Sequence, residues 1–250
     1  MMRPQPYGWT GNYSSWEEAI RISSGYDSEA ILEKVKEALL KVKQGKAAYE
    51  RDSVLFEQIE YSWPLLATLL ESAVEHKGEL NVLDFGGSLG SIYFQNREFC
   101  KRLSKVTWGI VEQEQFVSCG NEYFANDQLR FYNSMEECVK VQHPSVFLFS
   151  SVLQYIGHPW EVLQQTFQFG PDYIVIDKMP FLKTGNDRIT VQKVDPLIYE
   201  ASYPCWLLNR AGFLNFFEPH YTCVAGFDSP WVIKYQGNTI PYEGFIFRKK

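Results

Sequence analysis

The chain predicts an α/β doubly wound fold: a mostly parallel sheet with helices on both faces, preceded by a helical segment. Three observations carry this. From residue 79 short apolar runs alternate with helical patterns, the first of those runs ends in a glycine turn, and the last two are joined without room for a crossover helix, so one of them must run antiparallel. A length of 250 residues, 45% hydrophobic and 22% charged, is enough for one packed domain with a small extension and excludes disorder, collagen and coiled coil.

Residues 1–27, rich in Gly, Tyr, Ser and Trp, read as an ordered arm in which Ser15 caps a short helix with Trp16, Ala19 and Ile20. Over residues 28–44, Ile31, Leu32, Val35, Ala38, Leu39 and Val42 share one stripe of a 3.6-residue repeat, with Gly45 as C-cap. A second helical stretch, 54–77, contains Pro64 and stops at Gly78, which predicts a kinked or split helix. Residues 1–78 are therefore expected to form a mainly helical arm or cap, and 79–250 the α/β domain, with an insertion at about 179–212 that shapes a pocket. Strands are expected at 80–84, 106–111, 129–132, 145–151 and 173–177, and crossover helices at 90–103, 113–124, 135–141 and 159–169. The closing strands are 216–227 and 242–248, joined by a polar loop containing Gly and Pro.

Thirty acids against 24 bases leave a net charge of −6, so no basic field collects phosphates and nucleic acid is not an expected partner. The cysteines Cys100, Cys119, Cys138, Cys205 and Cys223 are odd in number and form no CxxC pair, which points to a reducing cytoplasm rather than a disulfide framework or zinc ribbon. Residues 1–9 carry no export signal, and the longest apolar run, 145–156, is broken by serines and a Gln, so neither export nor a membrane span is expected. No His/Asp cluster has metal-ligand spacing.

The sharpest local signal is Asn81-Val-Leu-Asp-Phe-Gly-Gly-Ser-Leu-Gly-Ser91, a buried strand ending at Asp84 and a turn with Gly86, Gly87 and Gly90 before a helix. Missing side chains let a ligand lie against the backbone, and free N–H groups at the helix start donate to its polar or anionic part. About 22 residues beyond Gly90 the second strand ends at Glu112, placed to accept both hydroxyls of a ribose. Asp84, directly before the glycines, suits a cationic amino group or sulfonium better than a pyrophosphate, and the glycine spacing is not GxGxxG. Both features favour S-adenosylmethionine over NAD.

These residues resemble the class I S-adenosylmethionine-dependent methyltransferases. Asp84-Phe-Gly-Gly-Ser-Leu-Gly90 is similar to their first motif, with Ser88 in place of the usual middle glycine. Ser150-Ser-Val-Leu-Gln-Tyr-Ile-Gly-His-Pro159 is similar to their fourth-strand motif, which implies Ser150, Ser151, Gln154 and Tyr155 at the methyl-transfer site. Asn133, Ser134 and Met135 match the stretch that borders the adenine. The resemblance implies a Rossmann-like sheet of seven strands, mostly parallel with the last antiparallel. More narrowly, Gly11-Asn-Tyr-Ser-Ser-Trp-Glu-Glu-Ala19, Gly25-Tyr-Asp27, Tyr49-Glu-Arg-Asp-Ser53, the glycine turn, Ser151-Val-Leu-Gln-Tyr155 and Tyr203-Pro-Cys-Trp206 resemble a family of bacterial methyltransferases encoded with surface-polysaccharide (O-antigen) genes. That resemblance implies a small-molecule or glycan acceptor: a sugar, nucleotide-sugar or surface glycan.

Methyl transfer from a sulfonium needs alignment and an aromatic enclosure more than strong acid catalysis, and a hydroxyl acceptor also needs a base. His158 follows the fourth strand, with Tyr155 just before it; Asp177-Lys178 ends the fifth, where open parallel sheets bind ligands. His158 reads first as a helix cap or surface residue, and Asp177 is equally readable as the partner of Lys178 in a salt bridge. Tyr49, Arg51 and Asp52 from the helical part, with Arg188, Gln192, Tyr203 and Trp206 from the insertion, combine aromatic faces with polar tips suited to a sugar, and Arg51 and Arg188 are candidates for a phosphate of an activated sugar. Two other readings stay open: a cofactor- or glycan-binding module without turnover, because no base is unambiguous, and an NAD-dependent sugar oxidoreductase, which lacks a Tyr-x-x-x-Lys pair around Tyr155 or Tyr173. Oligomeric state is open, a homodimer included.

Overall fold

The computed structural model describes residues 7–25, 28–195 and 201–250. Tyr26 and Asp27 of the Gly25-Tyr-Asp27 motif lie outside the described residues, as do residues 1–6 of the arm. In chain order the elements are β1 (Gly8–Tyr13), α1 (Trp16–Ile22), α2 (Ser28–Lys43), the hairpin β2 (Tyr49–Arg51) and β3 (Val54–Phe56), α3 (Trp63–Glu75), β4 (Glu79–Phe85), α4 (Ser91–Cys100), β5 (Lys105–Val111), α5 (Glu114–Tyr123), β6 (Leu129–Tyr132), α6 (Met135–Gln142) and β7 (Val146–Ser150). After a 3-10 turn at Leu153–Tyr155 follow α7 (Pro159–Phe169), β8 (Tyr173–Leu182), β9 (Arg188–Lys193), β10 (Ser202–Asn209), α8 (Arg210–Phe217), β11 (Tyr221–Tyr235) and β12 (Asn238–Lys249).

The central sheet runs β6-β5-β4-β7-β8-β12-β11, with β12 antiparallel to β8 and the other pairs through β4, β5, β6, β7 and β8 parallel. Its inner strands β4, β5, β7 and β8 are buried on both faces, and the period of two splits each between two cores. Val82, Trp108, Ile110, Val146, Leu148 and Val175 face the core covered by α2, α3, α4 and α5, whereas Leu83, Phe147, Phe149, Ile174 and Ile176 face the core covered by α6, α7 and α8. Ser15 caps α1 and Ser134 caps α6, each hydroxyl accepting from the N–H three residues on at 3.2 Å.

Four expectations need correction. Residues 54–56 are not helical: they form a strand of the β2/β3 hairpin, and Pro64 starts α3 instead of kinking it, because proline lacks only an N–H that the first turn leaves unpaired anyway. The arm contributes a strand, β1, paired antiparallel with β9, where the sequence predicts only a short helix, although helices still make up most of the regular structure of the N-terminal segment. Residues 216–217 end α8, which begins where Asn209 accepts from Gly212 N at 2.7 Å, rather than opening a strand. The expected loop before the last strand is itself β-structure, since β11 and β12 stay paired until the turn at Gln236 and Gly237. The stretch 179–212 contains the end of β8, then β9 and β10, and β10 rejoins the sheet by pairing parallel with Phe181 and Leu182.

Asp177 and Lys178 of β8 together oppose the single residue Gly244 of β12, a bulge in which Lys178 takes φ +56°. Phe213 of α8 is fully buried and touches the rings of Trp160, Phe181, Phe217 and Phe245. Phe213→Ala is expected to destabilise the fold by about 3–5 kcal/mol, read from the midpoint of urea unfolding at unchanged slope.

Candidate functional site

A cleft of about 1330 Å³ opens at the carboxyl ends of β4, β5, β6 and β7 and beside Lys178, which lies within β8 rather than at its end, since that strand runs on to Leu182. The glycine turn forms its floor. Gly86, Ser88 and Gly90 have φ of +68°, +54° and +106°, so the backbone enters the left-handed region at every second residue. Ser88 therefore occupies a conformation that glycine adopts without strain. A Cβ at Gly87 would lie 2.6 Å from the carboxyl carbon of Asp84, so this position must be glycine for a packing reason.

Asp84 itself is 1% exposed and lies behind the turn, not among the residues that line the cleft. Its Oδ2 accepts from Trp108 Nε1 at 3.2 Å, and its Oδ1 has no partner among the described residues. Burial pushes its carboxyl up to about 7, with Trp108 pulling down and the Glu112 charge pushing further up. The expected contact between this carboxylate and a cationic ligand group is thus not what the geometry provides: Asp84 shapes the turn from beneath.

Glu112 does line the cleft, at the end of β5 beside the turn. Its Oε1 accepts from Ser88 N at 3.3 Å and its Oε2 from Gln113 N at 2.8 Å. Burial raises its carboxyl above the ordinary range, and those two N–H groups oppose the rise. Each oxygen keeps a free lone pair for a hydroxyl. Asn133, Ser134 and Met135 line the wall beyond it, although the Ser134 hydroxyl is committed to capping α6.

At the other end, Ser150 and Asp177 meet across β7 and β8. Ser150 Oγ donates to Asp177 Oδ2 at 3.0 Å, and Lys178 Nζ lies 3.1 Å from the same oxygen. Asp177 is 2% exposed and does not reach the cleft; Ser150, Ser151 and Lys178 do. Gln154 is fully buried and ties Ser151 Oγ to the Lys178 carbonyl, its amide donating to both at 3.1 and 3.4 Å. Tyr155 donates its hydroxyl to Gln192 Oε1 at 2.8 Å and meets the Tyr203 ring edge-on at 5.2 Å. Burial holds the Tyr155 phenol well above its ordinary value, so it is a donor and not a base.

The β2/β3 hairpin leans over this end. Its two-residue turn is Asp52 and Ser53, with φ of +50° and +65°, the double left-handed turn that matches strand twist. Glu50 lies beneath it, 1% exposed, accepting from Ser53 N at 2.8 Å and from Ser91 Oγ at the start of α4. The Arg51 guanidinium stacks between Phe56 at 4.8 Å and Trp231 at 4.1 Å, and pairs with Glu60 at 3.0 Å. Among the described residues eight non-glycines have positive φ; Asp52, Ser53, Ser88, Ser151 and Lys178 are five of them, and all five line the cleft. Backbone strain is concentrated where a ligand would lie.

No protein-family model matches the chain, and no curated protein does. Among solved structures it is similar to the N-terminal domain of EvdMO1 crystallised in the presence of SAH (S-adenosylhomocysteine) and D-fucose, with TM-score 0.50 and 12% identity over 90% of this chain and 98% of that one. The same domain with SAH bound gives TM-score 0.50 and 11% identity over 87% and 97%. At such identities the likeness is one of fold, and it agrees with the strand order. The fold is the Rossmann-like fold of class I methyltransferases.

On this methyltransferase fold, Gly86, Gly87, Glu112, Ser134, Met135, Ser150, Ser151, Tyr49, Arg51, Asp52, Tyr155, Lys178, Gln192 and Tyr203 come together along one cleft. Other residues named by the sequence do not join them. Gly90 caps α4; the His158 side chain is 70% exposed, 3.7 Å from Glu161; Arg188 bonds Gln236 at 2.8 Å outside the cleft. Trp206 stacks on Trp16 at 5.9 Å and donates to the Ile156 carbonyl at 3.0 Å, a packing role. Glu50, within the Tyr49-Glu-Arg-Asp-Ser53 segment quoted above, lines the cleft as well, whereas sequence reasoning missed Trp9, Trp231 and Tyr242, which carried no usable local signal.

The buried acid gives a pH test. Asp84 binds its proton more tightly in the folded state, between its ordinary 3.8 and about 7, so folding stability should fall as pH rises through that window. Glu50 and Glu112, also pushed up by burial, add slope of the same sign. Asp84→Asn should flatten the dependence; urea midpoints at pH 5 and pH 8 that differ as much in the variant as in the parent would count against this assignment.

Proposed function

We propose that the chain is an S-adenosylmethionine-dependent methyltransferase that O-methylates a hydroxyl of an uncharged, sugar-like ring. The single observation that carries the cofactor is the pairing of the left-handed turn at Gly86, Ser88 and Gly90 with the Glu112 carboxylate, whose Oε1 already holds the Ser88 N–H at 3.3 Å. The residues fit the group: side chains are missing where a nucleoside would approach the backbone, and an acid with spare lone pairs stands where ribose hydroxyls would lie. Bound there, S-adenosylmethionine supplies a methyl group already activated on a sulfonium. Glu112 would hold the ribose, the turn would carry the polar tail on its N–H groups, and Asn133, Ser134 and Met135 would border the adenine.

The acceptor end is lined by Trp9, Tyr49, Tyr155, Tyr203, Trp231 and Tyr242, aromatic faces on which a sugar ring stacks, with Gln192 and Asp52 among them to bond hydroxyls. Charge argues against a nucleotide-sugar or a phosphate-linked carrier. The lining acids are Glu50, Asp52, Glu112 and Glu136, against Arg51 and Lys178 only. Arg51 is paired with Glu60 and Lys178 with Asp177, so among the described lining residues no cation is left for a phosphate. We read residues 1–78 as the cap over this end. The bacterial surface-polysaccharide setting rests on the resemblance of the quoted motifs alone. We place the activity in the cytoplasm: all five cysteines are free, and no described helix is long and apolar enough to cross a membrane.

Isothermal titration with S-adenosylhomocysteine should show saturable binding, and Glu112→Ala should weaken it by about tenfold or more, since bonds to a charged acceptor are worth about 1.5–3 kcal/mol each. Absence of binding by the parent chain would remove the cofactor. In the S-adenosylhomocysteine complex, uncharged sugars such as D-fucose should raise the unfolding temperature and UDP-glucose should not; the reverse order would reject the uncharged acceptor.

A further inference from the structure

The three bases suggested by the sequence fail on geometry: His158 lies outside the cleft, Asp177 is enclosed by Ser150 and Lys178, and Tyr155 is a hydrogen-bond donor to Gln192. We propose that Asp52, at the tip of the β2/β3 hairpin, is the catalytic residue that takes the proton from the acceptor hydroxyl. The proposal rests on the methyltransferase reading above and goes beyond it, because that reading leaves the fate of the proton open.

The tip is built to hold one position. Tyr49 is 3% exposed, Glu50 clamps the turn from below through Ser53 N and Ser91 Oγ, and Arg51 is fixed between two rings. The turn places two non-glycine residues, Asp52 and Ser53, at positive φ, where Asn-Gly would sit without strain, and so presents a carboxylate at the tip. Asp52 lines the cleft, and among the described residues its carboxylate accepts no hydrogen bond, unlike the carboxylates of Glu50, Glu112 and Asp177.

The groups that face it come from every element around. Tyr49, Glu50 and Arg51 share its hairpin, Lys178 comes from β8, Tyr155 from the turn after β7 and Tyr242 from β12. Asp52 stays open to solvent as a residue, and the protein packed around its carboxyl raises it above its ordinary range, while Arg51 and Lys178 draw it back. In the step, the acceptor oxygen forms its bond to the methyl carbon as the carbon–sulfur bond breaks and its electron pair returns to sulfur. The hydroxyl proton passes to an Asp52 carboxylate oxygen and then to solvent at the cleft mouth. The products are a methyl ether and S-adenosylhomocysteine, and no further reactant is needed.

The test uses the full chain with S-adenosylmethionine and a panel of D-fucose, D-glucose and L-rhamnose, with methylated sugar read by mass spectrometry. Asp52→Asn should lower kcat by about 100-fold or more and abolish the acid limb of the kcat–pH profile, while S-adenosylhomocysteine affinity by calorimetry stays within about twofold. Asp52→Glu should restore part of kcat. Independently of turnover, a carbon-detected titration of the Asp52 carboxyl should show it above the ordinary aspartate range, moving further when the sugar that is methylated is added to the S-adenosylhomocysteine complex. Full kcat with an intact acid limb in Asp52→Asn overturns the proposal alone. A parent chain that binds S-adenosylhomocysteine but methylates none of the sugars overturns the acceptor reading and the base with it; a parent chain that does not bind overturns the cofactor. Should Asp52→Asn fail to bind S-adenosylhomocysteine, Asp52→Glu and the carboxyl titration decide: a carboxyl titrating in the ordinary range and unmoved by sugar rejects the base.

Discussion

The ten residues of β8 answer to three neighbours. Tyr173–Asp177 pairs with β7, the stretch up to Pro180 pairs with β12, and Phe181 and Leu182 pair with β10. A flat strand could not do this and also present polar side chains to a cleft, because its alternate residues are fixed by the two cores. The bulge at Asp177 and Lys178 breaks that alternation once. It turns Asp177 inward onto Ser150 and sends Lys178 to the cleft wall. The wall formed by β10, β9 and β1 hangs from the end of β8, so the aromatic end of the cleft is positioned by the same irregularity.

A second theme is a set of carboxyls raised above their ordinary range. Asp84, Glu50, Glu112 and Asp52 all have carboxyls pushed upward, and burial is the leading cause in each. Each has a different function in the geometry. Asp84 supports the turn, Glu50 supports the hairpin, Glu112 faces a ribose in the proposed reading, and Asp52 alone stands at a tip without a hydrogen-bond donor. Of the four, Glu50, Asp52 and Glu112 line the cleft and give its wall a negative character, whereas Asp84 lies behind it.

The parallel strands and their crossover helices were legible because buried strands and amphipathic helices announce themselves by period, and the glycine turn by its composition. Boundaries failed where local chemistry competed. Val54, Leu55 and Phe56 extend an apolar run into the pattern of α3, and the turn before them is Asp-Ser, not the Asn-Gly that marks a tight hairpin. The phenylalanines of α8 read as strand residues, whereas in the structure Asn209 caps them into a helix by accepting from Gly212 N. Trp231 could not be foreseen as a cleft residue, since its place depends on β11 and β12 continuing far beyond the sheet. Individual side chains failed for a related reason: position along a strand says which end of the sheet a residue occupies, but not that His158 turns outward or that Asp177 is enclosed.

The stacking of Arg51 on Trp231 joins the N-terminal hairpin to the C-terminal ribbon across the mouth of the cleft. A guanidinium–indole contact at a partly exposed site is worth about 1 kcal/mol, which against thermal energy corresponds to a factor of about five in population. The seam therefore couples segments far apart in the chain, so the rim of the cleft is complete only once the last strands have been made and paired.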